Sequence, residues 1–248
     1  MNKDSEVHKE VSVHKEMSVP KEVRIETGIP YLNQLIGGGY LEKSVIAVSG
    51  GAGSGKTTFA MQFLMEGIKQ DENVMYISFN LKKKEVFRQF THFNFGLDVE
   101  TIKNRMVIIE YPPSEIQELL KKDSAVREMI KSTNISRLVI DPITSFVYLQ
   151  PDENQRRQDL YALVDNLKYW GVTSLLIDND SKFSLHEIPR TMTGVEGFTD
   201  GFIHLSYILN ITKMQRMRGM VILKMRGAPD DIDIHKVEIT NKGMKLFK

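Results

Sequence analysis

The sequence predicts an α/β fold: a mainly parallel sheet flanked by helices, followed by antiparallel strands at the C-terminal end. Three observations lead there. Short β-rich runs alternate with runs of helical periodicity over most of the chain, the pattern of βαβ units. One β-rich run enters a glycine-rich turn, Gly50–Thr57, that opens directly into a helical run. From Gly201 onward strands follow one another with turns and no helix between them. The 248 residues suit one domain of this class plus a short extension.

Residues 1–23 stand apart. An imperfect six-residue unit starts at Val7, Val13 and Val19. Three such units are too short to bury a core, so this mixed-charge stretch reads as a disordered extension ahead of a domain at 24–248, the alternative being an interaction arm or an added edge strand. His8 and His14, six positions apart with no third ligand, make a poor metal pair. Ser44–Ser49 is a buried strand. Lys56–Ile68 carries Phe59, Phe63, Leu64 and Ile68 at helical spacing. Val74–Phe79 is a second strand, and Lys83–Phe93 a helix whose Phe87 and Phe90 face a core. Arg105–Ile109 is a third strand. Ser114–Lys131 reads as one helix capped by Ser114. Arg137–Ile140 is a fourth strand with Arg137 at its edge. Asp152–Trp170 is a long helix whose Tyr169 and Trp170 pack it on the sheet, and Val172–Ile177 is a fifth strand. Gly201–Ile208 and Met220–Met225 are strands around a tip, Asn210–Gly219. His235–Thr240 and Lys245–Phe247 complete the antiparallel part.

Composition narrows the function classes. Lys+Arg (33) and Asp+Glu (32) nearly balance, so nucleic-acid binding would need a local patch. With no cysteine there is no disulfide, zinc–thiolate site or thiol nucleophile. No apolar run approaches the ~20 residues of a membrane span, and the charged N-terminus lacks the apolar stretch of a signal peptide. A soluble, cytoplasmic protein is expected.

The turn reads Gly50-Gly51-Ala52-Gly53-Ser54-Gly55-Lys56-Thr57 and fits G-x-x-x-x-G-K-[ST]. Glycines let successive N–H groups curl around a phosphate, and the new helix adds its positive end. Lys56 is placed to reach the β- and γ-phosphates of a nucleotide and Thr57 to offer its hydroxyl to Mg²⁺; Thr58 closes the binding segment. Leu138-Val139-Ile140-Asp141 is an apolar strand ending in a carboxylate, which suits Asp141 to the Mg²⁺ and its water. Its other reading is a cap on the turn at Pro142.

Further motifs accompany these two in order: Thr27-Gly28-Ile29-Pro30, Leu35-Ile36-Gly37-Gly38-Gly39, Gly194–Gly201, Leu223-Lys224-Met225-Arg226-Gly227, and Val237–Thr240 with Gly243. Over residues 24–248 the sequence resembles the KaiC-like branch of the RecA-superfamily P-loop ATPases. The resemblance implies a RecA-type P-loop NTPase core and a ring-forming homo-oligomer, usually a hexamer, with ATP at subunit interfaces. It implies that the Lys224-Met225-Arg226 segment enters the neighbour's site and contacts its γ-phosphate. Lys224 and Arg226 alternate on a strand and so share a face, and cations supplied in trans stabilise a transferring phosphoryl group. Paired strand cations meeting solvent or local carboxylates are the alternative. By the same match Thr240 and Asn241 lie near the neighbour's base or ribose, and His92 and Phe93 near the base bound by their own subunit.

One departure bears on chemistry. Two adjacent glutamates normally follow the second strand, one serving as general base; here Asn80-Leu81 stands in their place. General-base help is worth about 10²–10⁴-fold. The expectation is a protein that binds ATP and Mg²⁺, hydrolyses ATP slowly or not at all, and uses nucleotide as a regulatory or assembly switch read by a protein partner that the sequence does not identify. The alternatives are an active ATPase with another carboxylate, Asp178, Asp180 or Glu85, and a recombinase-like DNA-binding ATPase using Ser181–Thr193, with Lys182, His186 and Arg190, and the basic tip Lys213–Arg218. Few aromatics interleave those cations, which argues against a single-strand platform. An autokinase role would need an acceptor hydroxyl such as Thr191 or Thr193.

Overall fold

The computed structural model describes residues 22–179, 188–210, 214–229 and 231–247. Nearly all of the N-terminal extension, together with Asp180, Lys182, His186 and Lys213, lies outside them.

In chain order the elements are β1 (Arg24–Ile25), α1 (Leu32–Leu35), β2 (Tyr40–Leu41), β3 (Val45–Gly50), α2 (Lys56–Lys69), β4 (Asn73–Ser78), α3 (Lys83–His92), α4 (Val99–Arg105) and β5 (Met106–Glu110). Then come α5 (Ile116–Leu119), α6 (Ala125–Ser132), β6 (Ile135–Asp141), α7 (Ser145–Leu149), α8 (Glu153–Trp170), β7 (Thr173–Ile177), β8 (Gly201–Asn210), β9 (Gln215–Met225), β10 (His235–Thr240) and β11 (Gly243–Leu246). Among the described residues the main sheet has the order β11-β10-β9-β8-β3-β7-β6-β4-β5. From β8 to β5 neighbouring strands run parallel, and from β8 to β11 antiparallel.

The side-chain period of two divides each central strand between two cores. Ile46 and Val48 of β3 pack with Phe59, Phe63 and Leu64 of α2, Phe90 of α3 and Ile102 of α4. Val45 and Ala47 face the other way, with Leu160, Leu163 and Leu167 of α8 and Ile130 of α6. A strand buried on both faces reads as a continuous apolar run, which is why β3, β6 and β7 are legible in the sequence. The α8 helix starts on Asp152, whose carboxylate accepts from Gln155 N at 2.8 Å, and ends on left-handed Gly171.

Several expectations change. The single helix Ser114–Lys131 is a one-turn 3₁₀ segment followed by α5 and α6, and the cap belongs to Ser124, whose Oγ accepts from Arg127 N at 3.3 Å. Strands β8 and β9 run further than expected, so most of the tip is ladder, with Asn210 paired to Gln215. Trp170 is buried and donates to Lys122 O at 2.9 Å, whereas Tyr169 is exposed under the Arg127 guanidinium. Arg137 is not an edge residue. It is 1% exposed on a central strand, paired through Nε and Nη2 with Glu72 at 2.7 and 3.0 Å. Its remaining Nη1 donates to Glu26 O and Phe63 O at 2.7 and 3.1 Å.

Candidate nucleotide-binding site

The phosphate loop leaves β3 between β7 and β8. At Gly50 the loop needs glycine: φ is +153°, and a Cβ there would lie 2.2 Å from Leu205 O and 2.7 Å from Ser54 Oγ. Gly55 needs glycine for its φ of +113°, and the place of its missing Cβ is taken by the side-chain ends of Ile239 (Cδ1 at 2.7 Å) and Met244 (Cε at 2.8 Å). The C-terminal hairpin thus packs directly on the loop. Lys56 opens α2 and folds its ammonium back over the loop, donating to Gly50 O at 2.6 Å and Gly51 O at 3.0 Å.

The residues expected at the metal converge. Thr57 Oγ1 donates to Asp141 Oδ2 at 3.3 Å, and the Tyr76 hydroxyl donates to the same oxygen at 2.6 Å. Burial pushes the Asp141 carboxyl up, opposed by the Tyr76 bond, the Lys56 charge and the Thr57 bond. Burial, together with the Asp141 charge and hydrogen bond, pushes the Tyr76 phenol well up and keeps it a donor. Tyr76 was not singled out as a site residue; its only sequence signal was a tyrosine two positions before the end of an apolar strand. This donor set suits a divalent cation and its phosphate. Ser54 Oγ, buried in the loop with no hydrogen-bond partner, is a further polar atom left for a ligand-filled loop to satisfy.

The described carboxylates weighed as a replacement general base, Glu85 and Asp178, already accept hydrogen bonds. Glu85 accepts from Lys82 N at 2.9 Å and so caps its own helix. Asp178, at the end of β7, is fully buried and accepts from Thr144 Oγ1 (2.8 Å), Thr193 N (3.1 Å), Thr193 Oγ1 (2.5 Å) and Asn179 N (2.7 Å). Those bonds tie down a turn and consume the Thr193 hydroxyl; the Thr191 hydroxyl donates to Glu196. Asp180 is outside the described residues. Asn80 and Leu81 line a cavity of about 290 Å³ with Glu110 and Tyr111. Glu110 accepts from Lys83 N at 2.6 Å and sits on β5, one strand further from the phosphate loop than β4.

The Lys224–Arg226 segment lies at the other end of the sheet. Gly201 pairs with Ile46 on one side and with Met225 on the other, whereas Gly50 pairs with Leu205. Four residues of β3 separate the two levels, about 13 Å of strand. Lys224 Nζ donates to Glu196 O at 3.1 Å and Thr199 O at 2.5 Å, and Arg226 Nη1 donates to Asp200 Oδ1 at 2.8 Å. Burial, together with the Arg226 charge, holds the Lys224 ammonium below the usual lysine range. The Met225 side chain points the opposite way, against Gly201 and the core.

His92 and Phe93 were expected to serve one nucleotide and Thr240 and Asn241 another. Asn94 N donates to Asn241 O at 2.7 Å, which sets the end of the His92-Phe93 segment beside the Thr240-Asn241 turn within one subunit. Phe93 leans on Phe95 at 5.4 Å, and Phe95 and Thr240 line a cavity of about 530 Å³ with Gln62 and Met65 of α2. The reason is tertiary: β10 and β11 return to α2 beside their own phosphate loop.

Tyr207 was not singled out in the sequence, and Arg218 was placed in the basic tip Lys213–Arg218. The Tyr207 hydroxyl donates to Gly53 O at 2.6 Å, while Arg218 Nε reaches Gly53 O at 3.4 Å and Nη2 reaches the phenol at 3.2 Å. The Arg216 and Arg218 guanidiniums lie 5.3 and 5.2 Å from the Tyr207 ring centre. Arg218 thus rests on the phosphate loop, whereas Arg216 lies exposed over the Tyr207 ring.

The parallel sheet, the loop at the end of β3 and the Thr57–Asp141 pair define a P-loop nucleotide-binding protein of RecA type. The chain belongs to the KaiC ATPase family, whose model matches residues 25–248. A UPF0273 protein of Thermotoga maritima is 26% identical over 238 residues, covering 90% of this chain and 96% of its own. A UPF0273 protein of Aeropyrum pernix is 28% identical over 240 residues, covering 90% and 93%. The crystal structure of a KaiC-like protein from Pyrococcus horikoshii superposes with a TM-score of 0.77 at 26% identity, over 92% of this chain and 100% of that one. Among the described residues no helix is long and apolar enough to cross a membrane.

Proposed function

We propose that this protein binds ATP with Mg²⁺ between copies of itself and uses occupancy as an assembly or regulatory switch, with hydrolysis slow or absent. The convergence of Thr57 and Asp141 beside the glycine-rich loop carries the binding half. In this reading the loop N–H groups of Gly51–Gly55, Lys56 and Thr58 would hold the phosphates, and Thr57 and Asp141 would hold the cation and its water. Bound Mg²⁺ would supply neutralisation of the phosphate charge. Tyr76 keeps Asp141 Oδ2 aimed at Thr57. His92 and Phe93 serve the base bound by their own subunit, Thr240 and Asn241 the base or ribose bound by the neighbour, and Tyr207 and Arg218 brace the loop.

The far position of Lys224 and Arg226 supports the interfacial part: cations four residues down the sheet suit a nucleotide held by a neighbour. The switch part rests on Asn80-Leu81. An amide does not accept a proton near neutrality, Leu81 carries no polar group, and Glu85 and Asp178 are engaged in a helix cap and a buried turn. Within the basic tip, Arg218 is engaged by the phosphate loop and Tyr207, which leaves it less available to DNA in the alternative reading.

The experiment is ATP turnover per subunit against protein concentration, with binding of a fluorescent ATP analogue measured on the same sample. The proposal expects saturable, Mg²⁺-dependent binding that tightens as concentration rises, and turnover close to the no-protein background. Turnover that climbs with concentration would overturn the switch reading; absence of binding would overturn the whole proposal.

A further inference from the structure

Asp200 closes the turn that leads into β8, and the chain ties it down from several sides. Its N–H donates to Val45 O at 2.7 Å, its carbonyl accepts from Arg226 N at 2.9 Å, and its Oδ2 accepts from Val45 N at 3.0 Å. The other carboxylate oxygen, Oδ1, is shared by Lys168 Nζ at 2.7 Å and Arg226 Nη1 at 2.8 Å. Side-chain exposure falls from 56% at Arg226 to 14% at Asp200, so a fixed, half-dry carboxylate holds one terminal nitrogen, Nη1, of a guanidinium that is otherwise largely exposed. Burial would raise the Asp200 carboxyl, but the bonds from Lys168 and Val45, the Lys168 charge and the Arg226 bond together hold it below the usual range.

The local charge does not balance. Three cations, Lys168, Lys224 and Arg226, gather about two carboxylates, Asp200 and Glu196, whose charges both act on Lys224, so one positive charge is left in excess. Cations gathered in excess on one edge suit an anion brought from outside. A long arginine held by one N–H, with its other donors free, is oriented before that anion arrives.

We infer that Asp200 is a positioning residue for Arg226, presenting its guanidinium to the phosphates bound by a neighbouring copy, with Lys168 as a third cation drawn to the same edge. The inference rests on the interfacial reading above and extends it to two residues that carry no motif of their own chemistry. Asp200 acts through Arg226 and touches no nucleotide itself.

A double-mutant cycle tests it. The readout is the tightening of fluorescent-ATP affinity between dilute and concentrated protein, measured for wild type, Arg226→Ala, Asp200→Asn and the double variant. Loss of a charge-assisted bond predicts that Asp200→Asn reduces the tightening by about tenfold. In the Arg226→Ala background the same change should have no further effect. Equal loss in both backgrounds would show that Asp200 only braces Val45 and would overturn the inference. Full tightening in Asp200→Asn, with Arg226→Ala impaired, would also overturn it while leaving the interfacial reading standing. No effect of Arg226→Ala would remove the interfacial reading and this inference with it. Should Asp200→Asn fail to fold, Asp200→Glu keeps the charge and displaces the carboxylate by one methylene. It is expected to lower the tightening only where Arg226 is present.

Discussion

Replacing Arg137 by methionine should destabilise the fold by about 3 kcal/mol, the low end of the ~3–5 kcal/mol typical when one partner of a buried ion pair is removed. The low end follows from the geometry. Arg137 Nε and Nη2 hold Glu72, whose side chain keeps 20% exposure and can regain water, while Arg137 itself keeps 1%. Two carbonyls, Glu26 O and Phe63 O, lose a donor, and the Phe63 ring loses a guanidinium 5.0 Å from its centre. Methionine refills part of the volume, so the cavity contribution stays small. Glu72→Gln should cost more than Arg137→Met, because it strands a full charge that has almost no access to water. The double variant Arg137→Met/Glu72→Leu should recover much of the loss, since an apolar pair of similar volume is often neutral. Urea unfolding gives each value from the midpoint and slope, and about 3 kcal/mol corresponds to roughly 6–12 °C in Tm for a chain of this size. If Arg137→Met cost less than about 1 kcal/mol, or the double variant were the least stable of the three, the buried-pair reasoning would be wrong.

Other variants address the site. Lys56→Ala should weaken ATP-analogue binding at least about 100-fold, the scale of a charge-assisted phosphate contact, as read by fluorescence titration; unchanged affinity would mean that the loop is not the phosphate site. Tyr76→Phe removes the donor that aims Asp141 and should weaken Mg²⁺ dependence of nucleotide binding about 10–100-fold while nucleotide alone binds nearly as before; equal loss with and without Mg²⁺ would point to a packing role. Asp178 makes stability pH-dependent. Burial raises its folded carboxyl above the ordinary 3.8, opposed by bonds from Thr193, Thr144 and Asn179. Its stabilising share is therefore complete below that ordinary value and is lost as pH rises through the raised folded value. Asp178→Asn should flatten this fall in thermal melts across the mildly acidic range, and a slope equal to wild type would show that another group titrates there.

What the sequence by itself determined is what local constraints encode. The loop Gly50–Thr57 was legible because its backbone must bend where only glycine fits, as the Leu205 contact at Gly50 shows. Strands β3, β6 and β7 were legible because burial on both faces leaves an unbroken apolar run, and Asp141 because it ends one of them. Lys224 and Arg226 shared a face, as strand alternation requires, with Met225 turned to the core. The break between α5 and α6 escaped because apolar periodicity continues across it, while the Ser124 cap needs only a local turn.

Only the tertiary structure decided which distant residues meet. Strand order brings Tyr76 to Asp141, 65 positions apart, and Arg137 to Glu72, also 65 apart. The antiparallel ladder carries Arg218 back to Gly53 across 165 positions, and the last hairpin sets Asn241 beside Asn94. Asp178 had the same apparent freedom as Asp141 until the turn at Thr193 closed over it. The physical reason is that periodicity reports which face of an element is buried, not which element covers it. That choice belongs to the sheet order and its crossovers, and it separates a carboxylate beside the phosphate loop from one consumed in holding a turn.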